Sequence, residues 1–228
     1  MTYARYRHLA IEDAKSAPTE AQMEAVEALL GAALPQSFRE FLKVANGGTI
    51  EYVIDVPIGD GRTEMLSFCG IFSADEGTFC DETLVGEIRS GREYAKIPVG
   101  VLPFARDGGG SLVYLDLSEE GKGRVVAFVE GLPQWTGLRT ESAFVELAAS
   151  FEEYVGKLRI DPEDVVRAMD DARELSHIEA TEEWLDIGLP EWREDARLRS
   201  AVEGARRRLT RVSGLLRQGV SAHRPFRF

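Results

Sequence analysis

The order of local patterns along these 228 residues predicts an α+β fold, an antiparallel or mixed sheet flanked by helices, with a helical C-terminal extension. Three observations predict it. Apolar residues keep helical spacing through residues 19–45, β-rich runs and Gly-rich turns fill 50–129, and helical spacing returns from 141 to the end. Strands and helices do not alternate, which excludes a parallel βαβ layout. These patterns place a boundary near residue 160, dividing an α+β domain (1–160) from a helical extension (161–228) with an Arg-rich last helix.

Residues 1–17 have no clear period and read as an irregular lead-in. Thr19 and Gln22 then form an S/T-x-x-Q capping box, and Met23, Val26, Leu29 and Leu30 fall on one face of a helix that Gly31 ends. Pro35 suits the first position of a second helix, whose stripe is Phe38, Phe41, Leu42 and Ala45. Asn46-Gly47-Gly48 reads as its stop, with glycine in the left-handed C′ conformation. Ile50 to Val56 predicts a strand, Gly59-Asp60-Gly61 a turn, and Met65 to Phe72 a second strand. Asp81 is placed to cap a short helix carrying Leu84, Val85 and Ile88. Pro103 interrupts the apolar run from Val99 to Ala105, which suits an edge strand or an extended segment. Ser111–Leu117 and Arg124–Val129 read as a hairpin joined by the loop 119–123. Phe144, Leu147, Ala148, Phe151, Val155 and Leu158 then keep helical spacing and predict one helix over 141–158.

In the extension, Asp161-Pro162 opens a helix with Val165, Val166 and Met169, and Trp184 with Ile187 marks another. A last helix is predicted over 191–218. Its seam is Leu198, Val202, Ala205, Leu209, Val212 and Leu216. The seam packs on the protein's own helices, joins a second copy, or meets a partner; spacing leaves these open.

The net charge is −12, from 27 basic and 39 acidic residues. Such a balance disfavours nucleic-acid binding, which needs a cationic face, and suits a basic partner. Residues 191–228 run the other way, with ten Arg against four acids. Arg206-Arg207-Arg208 and Arg211 lie opposite the seam, either as a solvated face that pairs with acids or as a nucleic-acid contact. Cys69 and Cys80 lack metal-ligand spacing and read as buried, reduced thiols. The N-terminus has no apolar leader core and no run is long enough to span a membrane, so a cytoplasmic protein is expected.

The sequence offers little chemistry. G-x-S-x-G and the phosphate-loop frame are both missing. Ser111 opens a strand, and Gly108-Gly109-Gly110 precedes one, whereas dinucleotide sites want glycines that open a helix. His8, His177 and His223 have no ligand at zinc-like spacing. No cofactor or metal is implied. Asp55, Asp60, Asp75, Glu76, Asp81 and Glu82 cluster near strand ends and turns. They form either a solvated rim or an anionic patch that captures a basic partner.

Leu34-Pro35-Gln36-Ser37-Phe38-Arg39-Glu40-Phe41-Leu42 followed by Asn46-Gly47-Gly48 resembles the signature of the SUKH superfamily, Smi/Knr type. There LP-x-x-(F/Y)-(R/K)-x-F-L leads to NGG. The stretch from Val101 through Pro103-Phe104-Ala105-Arg106-Asp107 to Gly108-Gly109-Gly110 is similar to the family's PFA-x-D-GGG, and Tyr114-Leu115-Asp116 to its next strand. Phe144 and Phe151 match its last helix. The resemblance covers about residues 15–158; the extension lies outside the pattern. It implies an α+β fold without catalytic residues, in which Leu34, Pro35, Phe38, Phe41, Asn46, Gly47, Gly48, Gly109 and Gly110 are structural. Many bacterial members look like immunity proteins that bind and neutralise a toxin, often a nuclease; others look like regulatory or scaffolding partners. For such a role, contacts are expected on the acidic loops after the second helix and around Asp107 and Asp116.

Overall fold

The structure, a computed structural model, describes residues 3–58, 61–78, 81–137 and 140–220, the stretch 212–220 as backbone only. The fold is α+β, with antiparallel sheets, flanking helices and a helical C-terminal part. The chain forms two compact units, Met1–Arg159 and Ile160–Phe228.

The first unit opens with a hairpin of β1 (Ala4–Tyr6) and β2 (Leu9–Ile11), where an irregular lead-in was expected. Arg7 turns the chain with φ of 55°, and β2 is wholly buried. Helix α1 (Glu20–Leu30) has the expected capping box and ends on left-handed Gly31. Helix α2 (Gln36–Val44) has Pro35 at the cap rather than inside the first turn, and buries Phe38, Phe41 and Leu42.

A six-stranded antiparallel sheet carries the unit. Its strands are β3 (Gly48–Thr49), β6 (Gly70–Ile71), β7 (Val101–Arg106), β8 (Leu112–Asp116), β9 (Arg124–Val129) and β10 (Ala143–Ala148), in the order β10-β9-β8-β7-β6-β3. A separate hairpin pairs β4 (Ile54–Pro57) with β5 (Thr63–Leu66). The strand expected over 50–56 is therefore limited to its second half. The strand expected over 65–72 is two pieces, because the chain leaves the β4 hairpin and joins β7 at Gly70. Helix α3 (Leu84–Ser90) is capped by Thr83, whose hydroxyl accepts from Gly86 N at 3.1 Å, and not by Asp81. A π turn, Gly91–Ala95, extends it.

Two differences from the expected elements concern this sheet. Strand β7 is interior, not an edge. The register shifts between Pro103 and Ala105, and this bulge lets the strand pass a residue that has no N–H to give. Residues 141–158 are a strand and a helix, not one helix. Strand β10 pairs with β9, and α4 (Phe151–Lys157) starts afresh at Ser150. Ser150 Oγ accepts from Glu153 N at 3.1 Å, and the Glu153 carboxylate accepts from Ala149 N at 2.9 Å, so a new capping device separates the two.

The core lies on one face of the sheet. Phe38 and Phe41 from α2 meet Phe151 and Tyr154 from α4 over Phe104 of β7. Ring centroids are 4.9 Å apart for Phe38–Phe151 and 5.7 Å for Phe104–Phe151. Burying each of these rings contributes roughly 1.5–3 kcal/mol. Val113 and Leu115 of β8, opposite Ala127 and Val125 of β9, complete this covered face. Cys69 is half-buried rather than buried and is free; Cys80 lies outside the described residues.

The second unit is built from α5 (Pro162–Asp171), α6 (Leu175–Gly188), a 3-10 turn (Pro190–Arg193) and α7 (Ala196–Val220). Asp161 caps α5 as expected, accepting from Glu163 N at 3.1 Å. The last helix starts at Ala196 rather than at 191, because Pro190 opens a turn that buries Trp192 against Asp186. Leu198, Val202 and Ala205 of the seam are buried; the side chains of Val212 and Leu216 lie outside the description. The Arg face is partly engaged within this unit. Arg206 pairs with Glu182, and Arg208 donates to the Met169 and Asp170 carbonyls at the end of α5. His177 is exposed on α6.

Candidate binding groove

The residues of the N-G-G motif form a knot. Asn46 is 2% exposed, and its side chain accepts from Ala74 N at 2.7 Å while donating to Ser16 O at 2.9 Å and to Asp75 at 3.2 Å. It thereby ties the N-terminal segment, the exit of α2 and the 73–75 loop together. The expected glycine helix stop is not what the motif does. Helix α2 ends at Val44 with Ala45 as its cap; Gly47, with φ of 75°, turns the chain two residues later, and Gly48 begins β3. Gly48 has φ of 112°, and a Cβ there would stand 2.4 Å from the Glu12 carbonyl oxygen, so only glycine fits.

Most of the acidic candidates have partners inside the unit. Asp75 accepts from Lys15, Ser73, Gln22 and Asn46. Burial works against ionising it, but the hydrogen bonds from Lys15, Asn46 and Ser73 outweigh this and hold its carboxyl below the usual carboxylate range. Asp55 pairs with Arg159 at 2.9 Å, and Glu82 with Arg106. Asp81 accepts from the Thr78 N–H and hydroxyl; Asp107 closes a turn by accepting from Gly109 N and Ser111 N. Glu76 is exposed, and Asp60 lies outside the described residues. Leu34, Phe38 and Phe41 are buried.

Asp116 is different, because it stands in a groove of about 840 Å³ on the other face of the sheet. Strands alternate their side chains, so Leu112, Tyr114 and Asp116 of β8 face away from the core, next to Phe128, Val126 and Arg124 of β9. These three cross-strand rows are the floor. The segment 95–98 with Val101 forms one wall, Phe144 of β10 the other; Gly110 marks one end and the loop 118–120 the opposite end. Phe144 is 63% exposed. Tyr114 is 7% exposed, and its hydroxyl has no hydrogen-bond partner among the described residues. Burial, and then the nearby Glu87 carboxylate, push its phenol up.

The acidic end is ordered by a charged clasp. Asp116 accepts from Ser118 Oγ at 2.6 Å and from Arg124 Nε at 3.1 Å, and Arg124 also reaches Glu146 at 3.6 Å. Burial opposes its ionisation, yet the bonds from Ser118 and Arg124 hold Asp116 below the ordinary carboxylate range. Glu119 and Glu120 beside it are exposed, with no ion-pair partner among the described residues. Among the described residues no group of His, Cys, Asp and Glu is arranged to hold a metal, and no helix is long and apolar enough to cross a membrane.

The sequence profile of the SMI1 / KNR4 family (SUKH-1) matches residues 17–157. The chain belongs to that family. No curated protein sequence matches it significantly. In SUKH terms, the match spans the motif helix α2, the Asn46 knot and the groove, and it stops before the helical second unit. None of the groove side chains Leu112, Tyr114, Val126, Phe128 and Phe144 is read from the sequence as a binding residue. Their signal was there: β8 and β9 carry apolar residues at both parities, which a sheet with one ordinary solvated face does not need.

Proposed function

We propose that this SUKH chain is a non-catalytic protein-binding module, an immunity protein that neutralises a toxin by seating it in the groove on the uncovered face of the sheet. One observation carries the reading. An aromatic-lined trough lies open beside the unpaired carboxylates Glu119 and Glu120. Trough of this kind suits a protein contact, since aromatic side chains concentrate binding energy and a polar rim surrounds them. The partner is basic. A nuclease toxin is basic where it grips nucleic acid, and an acidic protein that covers that face excludes its substrate. With a net charge of −12, the chain also speeds capture at low salt.

The test is co-expression with the toxin encoded beside the gene. Cells survive when the wild-type chain is present. Phe144→Arg, a change at an exposed side chain, leaves the fold intact, lowers affinity for the toxin at least about tenfold and restores killing. Normal killing in the presence of the wild-type chain rejects the immunity role. Full protection by Phe144→Arg rejects the groove as its seat.

A further inference from the structure

We infer that the groove takes one extended, cationic segment of its protein partner and reads it at every second residue: an apolar or aromatic side chain, then a hydrogen-bonding one, then an arginine or lysine. This rests on the groove being the binding face and adds the chemistry of what enters it.

The three floor rows differ in character. The first row, Leu112 opposite Phe128 with Phe144 beside it, is wholly apolar. The second, Tyr114 opposite Val126, offers one phenol that is 7% exposed and has no hydrogen-bond partner among the described residues. The hydroxyl opens to the groove, where an occupant that hydrogen-bonds it takes the place of water. The third row, Asp116 opposite Arg124, is charged, but its charges already satisfy each other. Glu119 and Glu120 just beyond it have no ion-pair partner among the described residues and outnumber Lys96 of the wall, so the lining is left net negative and selects a cation.

The row spacing suits an extended occupant. Rows two residues apart along a strand lie about 6.8 Å apart, the interval between side chains on one face of an extended chain. An extended segment therefore sets residues i, i+2 and i+4 over rows one, two and three. A helix would need about nine residues (i, i+4 and i+8) to span the three rows, where an extended chain needs five.

The experiment uses the full chain, labelled with ¹⁵N and titrated with three synthetic peptides. The first is Gly-Ser-Phe-Gly-Thr-Gly-Arg-Ser-Gly, the second has Glu in place of its Arg, and the third moves its Arg two positions toward the Phe. The first peptide is expected to shift the amides of β8, β9 and the 118–120 loop, and to bind at least about tenfold more tightly than either control. The Glu119→Lys/Glu120→Lys variant, changed only at exposed loop positions, is expected to lose that preference. Equal binding of the three peptides, shifts outside the groove, or no binding by the first peptide at about 5 mM overturns the code. These failures are separable from failure of the groove itself. If Phe144→Arg still abolishes toxin binding, the groove stands and only the code falls.

Discussion

Val113 and Leu115 lie wholly buried on one face of β8, whereas half-buried Leu112 and the 7% exposed Tyr114 on the other face of the same strand line an open groove. The two faces are nearly equal in apolar character and unequal in cover. On the covered face, rings from α2, α4 and β7 meet edge to face and satisfy one another. On the open face, Phe144 stands 63% exposed beside its cross-strand neighbour Phe128, with the Tyr114 ring 6.2 Å away between centroids. Hydrophobicity alone therefore does not tell core from groove; what distinguishes them is whether the chain supplies the second layer.

Four experiments break or sharpen that contrast. The largest effect is expected from Phe151→Ala, which removes the ring at the centre of the covered cluster. It should lower stability by about 3–5 kcal/mol in urea unfolding, and a loss below about 1 kcal/mol would dissolve the distinction between the faces. Asn46→Ala strips the buried Ala74 N–H of its acceptor at the border of the covered face, and is expected to cost roughly 2–3 kcal/mol in the same assay. Asp116→Asn probes the one charged clasp on the open floor. The folded carboxyl titrates below its ordinary value of 3.8, so its stabilisation is complete above that pH and disappears as the pH falls through the depressed folded value. The wild type should thus exceed the variant by about 1 kcal/mol at pH 6, discounted for the partly exposed Arg124, and the gap should close as the pH falls through the depressed folded value. Phe144→Ala is expected to change stability by no more than about 0.5 kcal/mol, because that ring is already in water. A loss as large as that of Phe151→Ala would mean that the open face is structural.

Local signals were legible where one device fixes one element. Thr19 and Gln22 announce α1, Asp161-Pro162 announces α5, and the two β-rich runs announce β8 and β9. The family motif was legible too, although its physical role was not, since Asn46 works through three chain segments distant in sequence. Residues 143–158 misled because Phe144, Leu147, Phe151 and Val155 keep a period of three to four across two different elements. Ser150 and Glu153 marked the break, as a side-chain capping device that outweighs periodicity. The acidic candidates were legible as charges but not as pairs. Lys15, Arg106 and Arg159, which neutralise Asp75, Glu82 and Asp55, come from remote parts of the chain. The groove needed tertiary knowledge of which parity of β8 is roofed.

The irregular register at Pro103 on β7, and its counterpart between Glu146 and Ala148 on β10, flank the β8–β9 ribbon on both sides. Such irregularities bend and twist the strands that hold them. The trough is thus moulded by main chain rather than by the side chains that line it. Its lining can be exchanged, one residue at a time, without recasting the mould. Because the mould exists before anything enters it, little ordering is left to be done at the moment of capture.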